Sequence, residues 1–299
     1  MSERIQGSLV AIVTPMEKSG ALDLARFDQL VEWHIESGTD AIVVVGTTGE
    51  SATLSATEHC VLVAHCVAVV NQRVPVIAGT GSNSTQEALE FTQSAKDYGA
   101  DAALLVTPYY TRPSQEGLYQ HFKLLAESVD IPQILYNVPG RTACDLHIDT
   151  VERLAQLENV VGIKDATGDL QRGRELIKRC GDKLAIYSGE DGIARELILA
   201  GADGTISVTA NVAPALMARM CAAALAGDQD EAEKLDAALA MLHRNLFLEA
   251  NPVPVKWALT QMGLISPGIR LPLVELSAEF HVQVLQALEA AGIPIPAAA

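Results

Sequence analysis

A lysine ends one of the apolar segments of this chain. Lys164 follows the run Val160–Ile163, which is typical of a buried strand. Burial disfavours the charged ammonium, so an amine in this position can act as a nucleophile. Tyr136 ends the preceding apolar run, and an amine and a phenol at neighbouring strand ends indicate Schiff-base chemistry with proton transfer. Alternatively, the lysine snorkels to solvent or pairs with a carboxylate, and these residues alone leave both interpretations open.

Two further segments that follow predicted strands could bind carboxylates. The loop Gly46–Ser51 offers hydroxyls and backbone N–H groups between glycines, although a tight turn with a helix cap is the simpler interpretation of the loop alone. Arg141 follows a proline-glycine turn, where it could hold a carboxylate through two hydrogen bonds or form a surface ion pair. Tyr109 and Tyr110 are adjacent, so at most one should point into a given site.

Glycine and histidine spacing argue against a cofactor or a metal. The segment Gly79–Gly81 looks like the start of a dinucleotide fingerprint, but Ser84 stands where the third glycine belongs. The loop Gly46–Ser51 lacks the Lys-Ser/Thr pair of a Walker P-loop. The seven histidines show no HxH or HExxH spacing. We therefore expect neither a nicotinamide cofactor nor a metal.

Short apolar runs recur along the chain, and helical patterns such as Phe27–Ser37, Thr57–Val70 and Thr85–Tyr98 separate most of them. Strands that alternate with helices pair in parallel, and near-continuous apolar runs predict a (β/α)8 barrel whose site lies at the C-terminal strand ends. A doubly wound open sheet is the main competitor, but it has fewer strands and a glycine turn after the first. The predicted strands are Leu9–Val13, Ala41–Val45, Val74–Ala78, Ala102–Val106, Gln133–Tyr136, Val160–Lys164, Leu184–Tyr187 and Gly204–Val208.

The segment after the last predicted strand is too long for one closing helix. We take Pro214–Ala226 as the eighth barrel helix. The predicted domains are therefore the barrel, residues 1–227, and a C-terminal helical subdomain, residues 228–299. The subdomain contains the predicted helices Gln229–Phe247, Val253–Met262 and Ser277–Ala291.

Composition predicts an acidic cytoplasmic protein. The net charge is −16, from 21 basic and 37 acidic residues, which disfavours binding to nucleic acid or to an anionic membrane. No window reaches the ~18 apolar residues of a membrane helix, and Met1–Gln6 has no apolar stretch of the signal-peptide type. The five cysteines are scattered without a CxxC pair, as expected for reduced thiols.

Several long motifs occur together in this chain. They resemble the dihydrodipicolinate synthase family, a member of the pyruvate-dependent Schiff-base aldolase and lyase superfamily of (β/α)8 barrels, and the resemblance runs from Gly7 to Trp257. It implies condensation of pyruvate with L-aspartate 4-semialdehyde on the route to diaminopimelate and lysine, with no cofactor beyond the covalent imine. The motifs are GTTGESATL, VIAGTGSNST, LLVTPYYTRPSQEGLYQHF, QILYNVPGRT, GIKDATGDL and ISVTAN.

The resemblance implies four catalytic residues. Lys164 matches the lysine that forms the imine with pyruvate, and Tyr136 matches the tyrosine that shuttles protons. Thr47 matches the threonine that links this phenol to a second tyrosine. Tyr110 matches that second tyrosine, which in the family reaches across from a neighbouring subunit. The resemblance therefore also implies a homo-oligomer, a tetramer built as a dimer of dimers.

The resemblance implies binding residues as well. Thr48 matches the residue that holds the pyruvate carboxylate, and Arg141 matches the arginine that recruits the semialdehyde carboxylate. Gly189 and Ile206 match residues that line the pocket. In family members inhibited by lysine, an interface site holds the effector, and Ala56 here replaces a larger polar residue of that site. Its remaining counterparts are Ser51, Ala52, His59, Asn83, Glu87 and Tyr109.

Two alternatives remain for the function. The first is a sister activity, such as N-acetylneuraminate lyase or a keto-deoxy-sugar acid aldolase, which shares the lysine and the tyrosine. Arg141, Tyr110 and the threonine pair favour the synthase. The second is a non-catalytic relative that binds a small acid as a regulator, which an intact Lys164 and Tyr136 disfavour.

Overall fold

Eight parallel strands close into a barrel in the computed structural model, which describes residues 4–296. Each strand pairs with its neighbours in the sequence, and the last strand pairs with the first. The strands are short and almost wholly buried, as expected of a parallel barrel covered by helices. The predicted fold class is therefore confirmed. The strands are β1 Gly7–Ala11, β2 Ala41–Val44, β3 Val76–Gly79, β4 Ala102–Val106, β5 Gln133–Asn137, β6 Val160–Asp165, β7 Ala185–Ser188 and β8 Gly204–Ser207.

Helices return the chain from the end of each strand to the start of the next. Local signals set several helix starts: Ser55 and Glu58 form a reciprocal capping box at α2, and Pro214 occupies the first turn of α9. The helices are α1 Leu24–Glu36, α2 Ala56–Val70, α3 Thr85–Asp97, α4 Gln115–Ser128, α5 Pro139–Thr142, α6 Ile148–Leu154, α7 Leu170–Cys180, α8 Ala194–Leu199, α9 Pro214–Leu225, α10 Gln229–Asn245, α11 Val253–Gln261 and α12 Ala278–Ala290. None of the helices in residues 4–296 combines the length and apolar character needed to cross a membrane.

Two predicted strands are displaced from their observed positions. The sequence predicts the first strand at Leu9–Val13, whereas β1 is Gly7–Ala11, and it predicts the third at Val74–Ala78, whereas β3 is Val76–Gly79. Apolar character marks burial and not pairing, so runs that extend into buried loops shift the predicted bounds. Ile12 and Val13, for example, lie beyond the β1 ladder yet are fully buried.

The C-terminal helices extend the core of the barrel. One hydrophobic cluster contains Phe27 of α1 and Met217 of α9 together with Leu239 of α10, Trp257 of α11 and Val284 of α12. α10 packs against both α8 and α9. The domain boundary at residues 227/228 stays a prediction, and residues 1–3 and 297–299 of the two predicted domains lie outside the described residues.

Candidate active site

Lys164 and Tyr136 face each other across the β5–β6 ladder. They are direct register partners, and side chains of paired residues point to the same side of a sheet. The Nζ atom of Lys164 lies 4.4 Å from the centre of the Tyr136 ring. Both residues are nearly buried, with 6% and 7% of their surface exposed. The amine and the phenol that the sequence predicted as partners are therefore neighbours.

A cavity of about 180 Å³ opens at this end of the barrel. This is the C-terminal face of the strands, where the sites of such barrels are built. Gly189 allows the cavity to reach Lys164, because a Cβ atom at residue 189 would stand 2.9 Å from Cε of Lys164 and 2.6 Å from Cβ of Ala166. The sequence-predicted residues that line the cavity are Thr47, Thr48, Tyr136, Arg141, Lys164 and Gly189.

The acid next to Lys164 in the sequence is held away from it. Asp165 points to the opposite side of β6, where its carboxylate accepts hydrogen bonds from Arg172 at 2.9 Å and from Asn137 at 3.1 Å. Within residues 4–296, no carboxylate lies at ion-pairing distance from Lys164, and the side chain does not extend to solvent. This geometry fits a nucleophile better than an ion pair or a snorkelling lysine. These contacts give Asp165 a structural role.

The loop after β2 carries two threonines into the cavity. Its backbone is tightly turned: Glu50 has a left-handed φ of 59°, and a Cβ atom at Gly49 would lie 3.0 Å from Cα of Val45. The one-turn helix that follows, Ser51–Thr53, has no side-chain cap. The loop is therefore a tight turn, but it lacks the helix cap that was part of the simpler interpretation of its sequence. Thr48 is buried, and its hydroxyl oxygen accepts a hydrogen bond from Nδ2 of Asn251 at 3.0 Å.

Arg141 lies in α5, the short helix directly after β5. Its guanidinium donates from Nη2 to the backbone oxygen of Asn251 at 3.2 Å, and it makes no ion pair with the described carboxylates. The surface ion pair considered for this arginine is therefore not formed. The remaining N–H groups at the cavity are free to meet an anion.

Two of the predicted residues lie away from the cavity. Ile206 is in the packed interior of the barrel, and Val208, two positions further on, lines the cavity instead. Tyr110 is 88% exposed on the loop after β4, and Tyr109 is also exposed. Neither tyrosine therefore points into the cavity of its own chain.

The residues predicted for an effector site lie around the ends of β2 and β3. His59 donates a hydrogen bond from Nε2 to the backbone oxygen of Gly79, 2.8 Å away, and its ring stacks on Phe91. Burial lowers the pKa of His59, and the nearby Glu87 charge opposes that shift. Ser82 donates a hydrogen bond to Glu87. The other counterparts in this region are Ser51 and Ala52 in the turn after β2 and Asn83 after β3.

Sequence reasoning missed several residues that shape the cavity. Phe247 and Asn251, from the segment between α10 and α11, form part of its wall. Glu190 also lines it, and burial, reinforced by the neighbouring Asp191, raises the pKa of that carboxyl. Asn251 lies within the stretch from Gly7 to Trp257 that resembles the family, but nothing local indicated that it meets Thr48.

A nearly buried lysine beside a tyrosine at the C-terminal end of a (β/α)8 barrel is typical of lyases that act through a lysine Schiff base. The model of the dihydrodipicolinate synthetase family matches residues 4–291. A 4-hydroxy-tetrahydrodipicolinate synthase from Thioalkalivibrio sulfidiphilus is 63% identical over 97% of this chain and 99% of its own length. The chain therefore belongs to the dihydrodipicolinate synthetase family.

Solved structures agree with this assignment. The chloride-inhibited dihydrodipicolinate synthase of Acinetobacter baumannii, in complex with pyruvate, is 58% identical, superposes with a TM-score of 0.96, and covers 97% of this chain and 100% of its own. A lysine-bound enzyme of Cyanidioschyzon merolae is 36% identical, with a TM-score of 0.93, and covers 97% of this chain and 99% of its own. The predicted family, lyase class and synthase function are confirmed, and the sister aldolases are disfavoured.

Proposed function

We propose that this chain condenses pyruvate with L-aspartate 4-semialdehyde through an imine on Lys164. The observation that carries the proposal is the position of this amine: nearly buried, free of any described carboxylate, and 4.4 Å from the centre of the Tyr136 ring at the cavity. The neutral form of the amine is the nucleophile in imine formation. The relative from Acinetobacter baumannii, solved in complex with pyruvate, supports this substrate.

The reaction begins at the amine of Lys164. Its nitrogen attacks the ketone carbon of pyruvate, and loss of water gives a protonated imine. The imine withdraws electrons, so a methyl proton leaves and an enamine forms. The enamine carbon then attacks the aldehyde carbon of the second substrate, whose oxygen takes a proton. The amino group of that substrate closes the ring at the imine carbon and releases Lys164.

The two carboxylates of the substrates need separate binding groups. Thr48 presents a hydroxyl and Arg141 a guanidinium at the same cavity. We assign the pyruvate carboxylate to Thr48 and the semialdehyde carboxylate to Arg141, because a guanidinium can form two parallel hydrogen bonds with a carboxylate. Gly189 keeps the space beside Lys164 open for the reacting carbon.

Protons must move at each step of this sequence. Tyr136 is adjacent to the amine, and Thr47 lines the same cavity. Tyr110 is largely exposed on its own chain, so it is available to a neighbouring subunit. We propose that Tyr110 of the partner subunit completes a relay through Thr47 to Tyr136, in a homotetramer built from dimers. The relay needs no metal or organic cofactor, and we place the enzyme in the cytoplasm.

Trapping the imine tests the proposal directly. Enzyme, pyruvate and borohydride should give a covalent mass increase that peptide mapping assigns to Lys164, while Lys164→Ala should remain unmodified although folded. The same variant should show no turnover in an assay of the condensation of pyruvate with L-aspartate 4-semialdehyde. Lys256 is a second buried lysine and serves as an internal control. An adduct on Lys256, or turnover without any adduct, would refute the assignment.

A further inference from the structure

The side chain of Asn251 joins the C-terminal helical region to the threonine loop, residues 46–51, which follows β2. Asn251 is 5% exposed and forms part of the cavity wall. Its Nδ2 atom donates a hydrogen bond of 3.0 Å to Oγ1 of Thr48, which is 203 positions away in the chain. Among residues 4–296, no other group bonds to the Thr48 hydroxyl.

The chemistry of this bond sets its direction. A carboxamide nitrogen has two hydrogens and no lone pair to offer, so it can only donate. The hydroxyl oxygen of Thr48 is therefore the acceptor, and its own hydrogen remains available. Because the amide occupies one side of the oxygen, the hydroxyl hydrogen can turn to a group in the cavity. Such a hydroxyl suits an anionic acceptor, since hydrogen bonds to charged groups are stronger than neutral ones.

The main chain of the same residue contacts the second binding group. The backbone oxygen of Asn251 accepts a hydrogen bond of 3.2 Å from Nη2 of Arg141. One residue thus touches both groups assigned to substrate carboxylates, through two different parts of its structure. A substitution of the side chain removes the contact with Thr48 and leaves the carbonyl that meets Arg141.

We infer that Asn251 is a positioning residue for pyruvate, and that its amide keeps the Thr48 hydroxyl oriented as a hydrogen-bond donor to the pyruvate carboxylate. The inference rests on the proposed function, in which Thr48 receives that carboxylate. It predicts that the side chain of Asn251 acts on the first substrate and the first half-reaction. It also predicts that reversing the direction of the hydrogen bond between residue 251 and Thr48 weakens pyruvate binding more than removing that bond.

Steady-state kinetics with each substrate varied in turn test the inference. Asn251→Ala removes one neutral hydrogen bond, so the KM for pyruvate should rise roughly two- to tenfold, with a smaller change for the semialdehyde. The pyruvate concentration that gives half-maximal borohydride trapping should rise by the same factor. Asn251→Ser also removes the amide donor and is the second variant if the alanine variant does not fold, as judged by thermal melting.

Asn251→Asp separates orientation from simple packing. A carboxylate can only accept, so it would take the Thr48 hydrogen and turn the oxygen lone pairs toward the substrate anion. The aspartate variant should therefore bind pyruvate more weakly than the alanine variant, although its side chain is nearer in shape to asparagine. The added charge alone also repels pyruvate, and Thr48→Val/Asn251→Asp measures that effect without the hydroxyl.

A double-variant cycle provides the decisive comparison. If Asn251 acts through Thr48, then Thr48→Val/Asn251→Ala should bind pyruvate no more weakly than Thr48→Val. Additive losses, equal changes in both KM values, or wild-type pyruvate affinity in Asn251→Asp would each overturn the inference. Failure of the proposed function has a different signature, since wild-type enzyme would then form no borohydride adduct with pyruvate.

Discussion

Lys256 of α11 and Glu50 of the threonine loop, 206 positions apart in the chain, form an ion pair inside the protein. Both side chains are almost completely buried. Burial lowers the pKa of Lys256, and the Glu50 carboxylate opposes that shift. The pair thus differs from Lys164, which has no described carboxylate partner. Two contacts from the C-terminal region, at Lys256 and Asn251, hold the loop that carries Thr48.

Removing one member of this pair should destabilise the enzyme strongly. Lys256→Met leaves the buried Glu50 carboxylate without its cationic partner, which costs about 3–5 kcal/mol of folding stability. Urea unfolding with a fluorescence or circular dichroism signal measures the loss. The matched control is Arg73→Ala, which breaks the exposed pair with Glu32 and should cost far less stability, because solvent screens that pair. Equal losses for the two variants would show that the buried pair does not stabilise the loop as argued.

Mixing two inactive variants tests whether Tyr110 acts across an interface. Lys164→Ala lacks the nucleophile and Tyr110→Phe lacks the distal phenol. In a mixed dimer, the subunit with Tyr110→Phe keeps its lysine and receives an intact Tyr110 from its partner, so one site works. Random exchange of subunits should restore about a quarter of wild-type activity, because half of the dimers are mixed and each has one working site. The control is each variant unfolded and refolded alone, and no recovery in the mixture argues against a shared site.

Arg141→Ala should weaken the binding of the semialdehyde more than the binding of pyruvate. Loss of a hydrogen bond to a charged group costs roughly 1.5–3 kcal/mol, which corresponds to about a 10- to 150-fold increase in the KM for the semialdehyde. Arg141→Lys is the matched control, because it keeps the charge but loses the planar fork, and it should recover part of the affinity. Equal increases for both substrates would mean that Arg141 organises the whole site, in keeping with its contact to Asn251.

Local patterns were sufficient to predict the barrel and the residues at the strand ends. Lys164 and Tyr136 close apolar runs, and parallel strands bring their C-terminal ends together. The assignment of Thr48 and Arg141 to the pocket depended on the family resemblance, since a tight turn and a surface ion pair were the simpler interpretations of their segments alone. Both side chains line the cavity.

Contacts between distant parts of the chain were not predictable from such patterns. Asn251 meets Thr48, and Lys256 meets Glu50, across more than two hundred residues. Periodicity reports which face of an element is buried, but it does not report which loop that face covers. Ile206 gives a smaller example: it lies in the barrel interior, whereas Val208, just after the end of β8, lines the cavity.

Buried neutral histidines should make the enzyme sensitive to acid. Burial lowers the pKa of His34 to about 3 and that of His121 to about 4. At pH 7.5, about one unit above the ordinary histidine pKa of about 6.5, these rings bind almost no protons in either the folded or the unfolded state. Below that pH the unfolded chain binds protons that the folded protein excludes, so stability falls. At pH 5.5 each ring should lower the free energy of unfolding by about 1.4 kcal/mol relative to pH 7.5.

The midpoint of urea unfolding, measured at several pH values between 7.5 and 5.5, gives the dependence of stability on pH. His34→Gln should flatten the pH dependence, because a glutamine side chain does not titrate in this range. Burial raises the pKa of Asp40 and Glu190, which act in the opposite direction, and the difference between wild type and variant removes their contribution. A slope that is the same with and without His34 would contradict the prediction.

Inhibition by lysine should be weak or absent in this enzyme. Glu87 and His59 lie together near the ends of β2 and β3, but Ala56, the exposed first residue of α2, has no polar side chain to contact the effector. Loss of one neutral hydrogen bond weakens binding by about 0.5–1.5 kcal/mol, which is at most about tenfold. A lysine titration at sub-saturating pyruvate measures the effect. Ala56→His should strengthen inhibition by up to that factor, while Thr57→His, at the adjacent exposed position, should not. Strong inhibition of the wild-type enzyme at micromolar lysine would show that Ala56 does not limit effector binding.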